Sequence, residues 1–138
     1  MKSMGNGRDG AEVLDVFIDA MTWDTALSRI ADWAGRRESR YVCNCNVHAL
    51  IEASRDPRFK NVLGNADMVT PDGMPLAWML RHLGFPGQQR IDGPDLMLKY
   101  CELAARRGDS IYLFGSTKET LALLSRQLLA ASPALRIA

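Results

Sequence analysis

The pattern of apolar and polar residues along the chain predicts strands that alternate with helices. Residues 12–19 alternate between the two classes and contain Val, Phe and Ile, which favours a strand. Residues 23–35 instead repeat apolar positions every three or four residues, as an amphipathic helix does, between Thr22 and a terminal Gly35. The run over residues 40–44 is again rich in strand-forming side chains.

The middle of the chain continues this alternation. Asn46 is a turn or cap residue before a helical pattern over residues 47–55. A shorter helix follows within residues 56–66. Its Asp-Pro pair supplies the cap and the first helical position. A strand over residues 67–70 then stops at Pro-Asp-Gly, which is a strong local breaker. Residues 75–83 resume a helix.

The last third of the chain adds two more helices and two more strands. A loop rich in Gly and Pro over residues 85–95 precedes a helix over residues 96–107. The apolar run over residues 110–115 predicts a buried strand. An amphipathic helix over residues 116–132 follows, and residues 133–138 resemble the start of another strand.

The start of the last helix carries a weak phosphate-binding pattern. Gly115 ends the predicted strand, and either Ser116 or Thr117 caps the helix, with Glu119 placed to close a capping box with Ser116. A glycine before a capped helix can receive a phosphate. The full G-x-G-x-x-G and Walker patterns are lacking, so neither a dinucleotide site nor a P-loop is predicted.

These elements predict one α/β domain over residues 12–138, a Rossmann-like parallel sheet with right-handed crossovers and helices on both faces. Residues 1–11 lack an apolar core and are expected to be a flexible lead-in, not a secretory signal. The run over residues 133–138 opens a strand that does not complete. We therefore expect a sheet that is incomplete at its C-terminus and a chain that is a fragment of a longer protein.

Composition narrows the classes of function. Hydrophobic residues make up 47% and charged residues 24% of the chain, which is typical of a soluble globular domain, and the net charge of +1 argues against a nucleic-acid partner. The three cysteines, Cys43, Cys45 and Cys101, fit neither a disulfide framework nor a zinc site and are interpreted as buried thiols in a reducing cytosol. No apolar run is long enough to cross a bilayer.

In open α/β sheets, ligands bind beyond the carboxyl ends of the strands, and three predicted loops lie there. Their residues are Asn44 to Asn46 in the first loop, Thr70 to Gly73 in the second, and Gly115 to Thr117 in the third. Asp72 in the second loop is the most informative, because a carboxylate there can take a proton from a sugar hydroxyl as its oxygen attacks an anomeric carbon. The local pattern alone favours a simpler role for Asp72, as a helix cap.

The loop around Arg90 is a second candidate site. It offers a guanidinium, a glycine turn at Gly93 and a carboxylate at Asp95 just before a helix. Arginine suits phosphate through paired hydrogen bonds, so Arg90 fits a diphosphate leaving group. The alternative is a surface Arg90 that pairs with Asp92 or Asp95, and the residues alone do not decide between the two.

These motifs, in this order, resemble the WecG/TagA/CpsF family of glycosyltransferases. The resemblance runs from about residue 12 to the end of the chain and includes N-x-N-V-H-x-L-I, D-P-R-F, R-I-D-G-P-D-L and I-Y-L-F-G. Its most specific stretch is A-D-M-V-T-P-D-G-M-P over residues 66–75. The family transfers a sugar, often N-acetylmannosamine or a hexose, from a UDP-sugar to a polyprenyl-diphosphate-linked saccharide with inversion, in cell-surface and exopolysaccharide biosynthesis.

The resemblance implies roles for individual residues. Asp72 corresponds to the proposed catalytic base, and Arg90 to an arginine that acts at the diphosphate or the acceptor. Asn46 corresponds to the Asn of the family's T-x-N motif. The Thr of that motif falls on Asn44, which offers an amide instead of a hydroxyl and thereby affects the donor side of the site. Thr70, Gly73, Gly93, Asp95, Gly115 and Ser116 are expected to contribute to substrate binding.

The resemblance also implies partners and a location. Beyond the nucleotide-sugar donor no cofactor is expected, and the absence of a D-x-D-type carboxylate pair beside the site favours transfer without a metal ion. Members of the family work at the cytoplasmic face of the plasma membrane, can self-associate, and continue past this point into further strands and a basic C-terminal segment that engages the membrane. We therefore expect this chain alone to be weakly active or inactive.

Two other interpretations share the same loops. The chain would be an inert nucleotide- or phosphate-binding α/β module if Asp72 had no chemical role, or the interaction remnant of a truncated gene if an apolar sheet edge were its main feature. Replacing Asp72 by Asn separates the enzyme from the binding module, because only the enzyme needs the carboxylate.

Overall fold

The protein is described by a computed structural model that covers residues 7–138. It confirms the α/β class, with strands and helices that mostly follow the predicted order. The strands are β1 (Gly10–Val13), β2 (Val16–Asp19), β3 (Val42–Cys45), β4 (Met68–Pro71), β5 (Ser110–Ile111) and β6 (Arg136–Ile137). The helices are α1 (Trp23–Gly35), α2 (Val47–Arg55), α3 (Pro57–Gly64), α4 (Met74–His82), α5 (Gly93–Arg107) and α6 (Lys118–Ala131).

The chain opens with an antiparallel hairpin, where the sequence pattern predicts one strand over residues 12–19. β1 pairs with β2 through a two-residue turn at Leu14 and Asp15, which have φ angles of 48° and 60°. Positive φ at both turn positions matches the right-handed twist of a hairpin. The single-strand prediction is wrong because the alternation of apolar residues continues through the turn and hides it.

The first strand also reaches into the predicted lead-in over residues 1–11. Residues 1–6 lie outside the described part of the chain, but β1 begins at Gly10. A Cβ atom at Gly10 would collide with the carbonyl oxygen of Ile18 on β2, so only glycine allows this close approach. The guanidinium of Arg8 binds the Asp19 carboxylate and the carbonyl oxygen of Ala66. Residues 8–11 are thus part of the packed fold.

A parallel pair of strands, β3 and β4, forms the centre of the domain. Alternate side chains of β4 enter different apolar clusters: Val69 packs with α2, α3 and α4, whereas Met68 packs with α1 and α5. Helices therefore cover both faces of this pair, as predicted. All four residues of β4 are buried, as expected for a strand that is covered on both sides.

The strands form three two-stranded sheets in the described residues, β1–β2, β3–β4 and β5–β6, with parallel pairing in the last two. A carboxylate connects the hairpin to the central pair. Asp19 is fully buried at the end of β2, and its Oδ2 accepts a hydrogen bond of 2.6 Å from the backbone N of Val69 on β4. Arg8 and Arg29 provide the compensating positive charge.

The C-terminal part differs from the predicted strand over residues 110–115 and agrees with one of the two predicted caps of the last helix. The run over residues 110–115 was expected to be a buried strand, but β5 ends at Ile111, and Phe114 is 92% exposed. Ser116 has a φ angle of 58° and does not cap α6; Thr117 does so by accepting a hydrogen bond from the backbone N of Thr120. β5 and β6 pack against α5 and α6 around a third apolar cluster.

Candidate active site

The carboxyl ends of β3 and β4 meet at one edge of their sheet and bring the first two predicted loops together. Asn44 pairs in register with Thr70, so Asn46 and Asp72 leave the sheet side by side. The backbone N of Asp72 donates to the carbonyl oxygen of Cys45 at 2.8 Å. Asp72 therefore lies at the same end of the sheet as Asn46, as the proposed chemistry requires.

The side chain of Asp72 does not cap the helix that follows it. The N-cap of α4 is Gly73, with a φ angle of 127° and no side-chain hydrogen bond, so the capping interpretation is wrong. Instead, Oδ2 of the half-buried Asp72 accepts a long hydrogen bond of 3.4 Å from the backbone N of Gly93. Gly93 is the first residue of α5, and the carboxylate thus faces the positive end of a 15-residue helix.

The loop before α5 is fixed against the end of β4. The backbone N of Ile91 donates to the carbonyl oxygen of Pro71 at 3.0 Å, and Ile91 itself is fully buried. This contact places Gly93 between Asp72 and Asn44. A Cβ atom on Gly93 would lie 2.9 Å from Nδ2 of Asn44, so the site is tightly packed on this side.

Asn44 is held by the neighbouring strand. Its Oδ1 accepts a hydrogen bond of 2.7 Å from the hydroxyl of Thr70, which is fully buried. The buried hydroxyl of Thr70 thus positions Asn44. The Nδ2 group of Asn44, on an exposed residue beside Gly93, remains a donor at the site.

Asn46 caps a helix and also lies at the candidate site. Its Oδ1 accepts a hydrogen bond of 2.9 Å from the backbone N of Ala49 and so caps α2, as the sequence predicts. A Cβ atom on Gly73 would lie 4.0 Å from Cβ of Asn46, which places Asn46 beside the loop of Asp72. The cap uses the oxygen of the amide, and the NH₂ group can serve a ligand.

Arg90 pairs with Asp92, one of the two partners that the sequence offered. Its Nη2 lies 3.3 Å from Oδ1 of Asp92, while Oδ2 of Asp92 accepts from the backbone N of Asp95 and caps α5. Asp95 is exposed in the first turn of that helix. Asp92 directly precedes Gly93, so the ion pair lies at the side of the site that α5 forms.

The third predicted loop is separate from this cluster. Gly115 and Ser116 are exposed, have φ angles of 116° and 58°, and follow β5, which pairs only with β6 among the described strands. Within residues 7–138, neither makes a hydrogen bond to the loops of Asn44 or Asp72. The structure therefore joins two of the three predicted loops and adds the start of α5 to them.

The cysteine next to the site is a neutral, structural thiol. Burial, with smaller contributions from the charges of Cys43 and Asp72, raises the pKa of Cys45 to about 11. A thiol with such a pKa is a poor nucleophile and a poor metal ligand near neutral pH. Throughout residues 7–138, no group of three His, Cys, Asp or Glu side chains is arranged to hold a metal ion.

Replacing Gly93 by Ala is expected to lower activity and to cost about 1 to 3 kcal/mol of stability, because the buried hydroxyl of Thr70 would lose its partner Asn44. The added methyl group would push the amide of Asn44 away from Thr70 and from the site, whereas alanine suits the first turn of a helix. The ratio kcat/KM measures the effect. Gly64→Ala in α3 is the matched control, because nothing lies within 4 Å of its Cβ position. Equal activities for both variants would contradict this packing.

Sequence reasoning treated Asp92 only as a partner for Arg90 and missed its second role. The signal that could have found it is the spacing Asp-x-x-Asp at a helix start, where the first side chain caps the backbone N of the fourth residue. One carboxylate then serves the helix and the arginine together. This double use becomes visible only when the position of the helix start is known.

Sequence comparison relates the chain to known proteins. A relative from Bacillus spizizenii, N-acetylglucosaminyldiphosphoundecaprenol N-acetyl-beta-D-mannosaminyltransferase, is 28% identical over 87 residues, which are 63% of this chain and 34% of the relative. The chain therefore aligns with about a third of that protein's length. The sequence model of the glycosyl transferase WecG/TagA/CpsF family matches residues 11–138, and the chain belongs to this family.

Proposed function

We propose that this chain carries the catalytic base of an inverting glycosyltransferase, which moves N-acetylmannosamine or a hexose from a UDP-sugar to a polyprenyl-diphosphate-linked saccharide. One observation carries the proposal. The carboxylate of Asp72 is not used as a helix cap and lies at the shared carboxyl end of β3 and β4, beside the start of α5 and the amides of Asn44 and Asn46.

The proposed reaction is a single displacement. Asp72 accepts the proton of the acceptor hydroxyl while the oxygen of that hydroxyl bonds to the anomeric carbon of the donor. The bond from this carbon to the diphosphate oxygen breaks on the opposite face, and UDP leaves with the electron pair. Arg90 offsets the charge that develops on the diphosphate. General-base help of this kind contributes roughly 100- to 10,000-fold.

The chemistry named for the relative supports the lipid-linked acceptor. That protein transfers N-acetylmannosamine to an N-acetylglucosaminyl-diphosphoundecaprenol, according to its name. In this chain, the helix that begins directly after Asp72 and Gly73 exposes apolar side chains, among them Trp78 and Met79. They help line an open groove of about 430 Å³ that also includes Pro75, His82 and Leu83.

An apolar surface beside the site suits a substrate whose sugar end is attached to an isoprenoid. We therefore place the reaction at the inner face of the plasma membrane, with the protein bound peripherally. None of the helices in residues 7–138 has the length and hydropathy to span a bilayer.

A direct assay tests the proposal. The chain, in excess over N-acetylglucosaminyl-diphosphopolyprenol, is incubated with UDP-N-acetylmannosamine or a UDP-hexose, and the lipid-linked disaccharide is detected by mass spectrometry. We expect a slow single turnover and an anomeric configuration opposite to that of the donor. A product with retained configuration would exclude the single displacement. Binding of UDP without any product would favour the inert nucleotide-binding module.

Transfer is expected to continue when divalent metal ions are removed. Arg90 offsets the diphosphate charge in the proposed reaction, so no metal ion is needed for that task. The check is the transfer rate with excess EDTA, compared with the rate with added Mg²⁺ or Mn²⁺. A loss of activity in EDTA that Mg²⁺ restores would show that a metal ion shares the role of Arg90.

A further inference from the structure

One oxygen of Asp92 has no hydrogen-bond partner, although it is buried. Oδ2 caps α5 through the backbone N of Asp95, but Oδ1 receives no hydrogen bond from any donor in residues 7–138. The nearest positive charge is Nη2 of Arg90 at 3.3 Å, and its N–H groups are not directed at the oxygen. The Asp92 side chain is only 13% exposed, whereas that of Arg90 is 47% exposed.

A buried carboxylate oxygen without a hydrogen bond is unfavourable. The guanidinium beside it can supply the missing hydrogen bond. Arginine has five N–H donors in a planar fork, and a small rotation of Arg90 would direct one of them at Oδ1. Asp92 is less free to move than Arg90, because a hydrogen bond of 3.4 Å from the backbone N of Asp95 joins its carboxylate to the helix and its side chain is mostly buried. The carboxylate is thus the fixed member of the pair.

We propose that Asp92 is a positioning residue that holds the Arg90 guanidinium at the donor diphosphate. The proposal rests on the function proposed above for Arg90. Asp92 and Gly93 are consecutive: the first meets Arg90, and the backbone N of the second meets the carboxylate of Asp72. One helix start therefore sets the positions of the base and of the arginine together. Without Asp92, the long side chain of Arg90 would sample more rotamers, and ordering it on the diphosphate would cost more entropy.

The chain contains a similar pair away from the site, which serves as a control. Asp56 caps α3 through the backbone N of Arg58, and Nε of Arg58 lies 3.7 Å from the same carboxylate. Here both side chains are far more exposed, at 45% for Asp56 and 95% for Arg58. An ion pair in water holds its arginine weakly. A change at Asp56 removes a cap charge without affecting an arginine of the site.

The test is a double-mutant cycle on UDP affinity. Asp92→Asn retains a good N-cap and removes the charge, so the fold should persist. We expect it to weaken UDP binding by about tenfold, because an Arg90 without its charged partner must be ordered at a greater entropy cost when UDP binds. The same change combined with Arg90→Ala should add no further loss beyond that of Arg90→Ala alone. Asp56→Asn should leave UDP affinity unchanged. Isothermal titration calorimetry measures the affinities, and thermal unfolding verifies the fold.

Each other result overturns the proposal in a distinguishable way. An equal loss from Asp92→Asn with and without Arg90 would show that Asp92 acts through the helix and not through the arginine. Tighter UDP binding after Asp92→Asn would mean that the carboxylate repels the diphosphate. If Arg90→Ala weakens binding and Asp92→Asn does not, the function of Arg90 stands and the positioning role falls. If the chain does not bind UDP at all, the donor proposal falls, and the positioning role falls with it.

Discussion

Replacing Asp72 by Asn is expected to reduce the rate of sugar transfer by about 100- to 10,000-fold, which is the usual contribution of a general base. Asparagine has nearly the same shape and can still accept the hydrogen bond from the backbone N of Gly93. It cannot take a proton from the acceptor hydroxyl. The loss should therefore appear in the single-turnover rate at saturating donor, whereas the affinity for UDP, which does not involve the proton transfer, should stay nearly unchanged.

The control for Asp72→Asn is Asp24→Asn, a change of the same type at an exposed position in the first turn of α1. Its transfer rate should match that of the unmodified chain. If Asp72→Asn retained transfer within a few-fold of normal, the carboxylate would not be the base. If both proteins bound UDP equally and neither transferred a sugar, the chain would be a binding module.

Local signals explain most of what the sequence predicted correctly. Asn46 and Asp56 each cap the helix that their position predicted, because a cap depends only on the three residues that follow it. The hairpin turn was missed for the opposite reason. Leu14 and Asp15 adopt positive φ angles without the glycine or asparagine that usually indicates such a turn, so no local signal was present.

The predictable parts of the site likewise depend on local patterns, and the unpredictable parts depend on contacts between residues distant in the sequence. Parallel pairing alone brings Asn44, Asn46 and Asp72 to one sheet edge, and this prediction is confirmed. The approach of Gly93 to Asp72 was not predictable, because it joins residues 21 positions apart across α4 and a loop without periodicity. The exposed Phe114 was predicted to be buried because an apolar run does not show whether a further element covers it.

Asp19 shows a further limit of sequence reasoning and leads to the largest expected effect on stability. The sequence pattern gave it no role, since an acidic residue at the end of an alternating run is typical of a solvent-facing position. In the structure it is fully buried, binds Arg8, and accepts a 2.6 Å hydrogen bond from the backbone N of Val69. It therefore replaces part of the backbone hydrogen bonding that would otherwise join β2 to β4.

Replacing Asp19 by Ala is expected to lower the free energy of unfolding by about 3 to 5 kcal/mol, as when one partner of a buried ion pair is removed. The change removes the carboxylate acceptor of Arg8, which keeps the carbonyl oxygen of Ala66, and leaves the backbone N of Val69 without its acceptor. A typical domain has a total stability of about 5 to 15 kcal/mol, so the change would remove between about a fifth and all of it. Urea denaturation followed by circular dichroism gives the difference.

Asp15→Asn is the control for this change, because it removes a carboxylate that pairs with Lys60 at the surface and is 85% exposed. Its effect should stay within about 0.5 kcal/mol, which is typical of an exposed ion pair. A comparably small effect for Asp19→Ala would mean that solvent reaches Arg8 and Val69 freely and that the carboxylate does not join the strands. Since β4 also carries Asp72 at its end, the large loss predicts that transfer activity and folding fail together in Asp19→Ala, whereas Asp72→Asn loses activity alone.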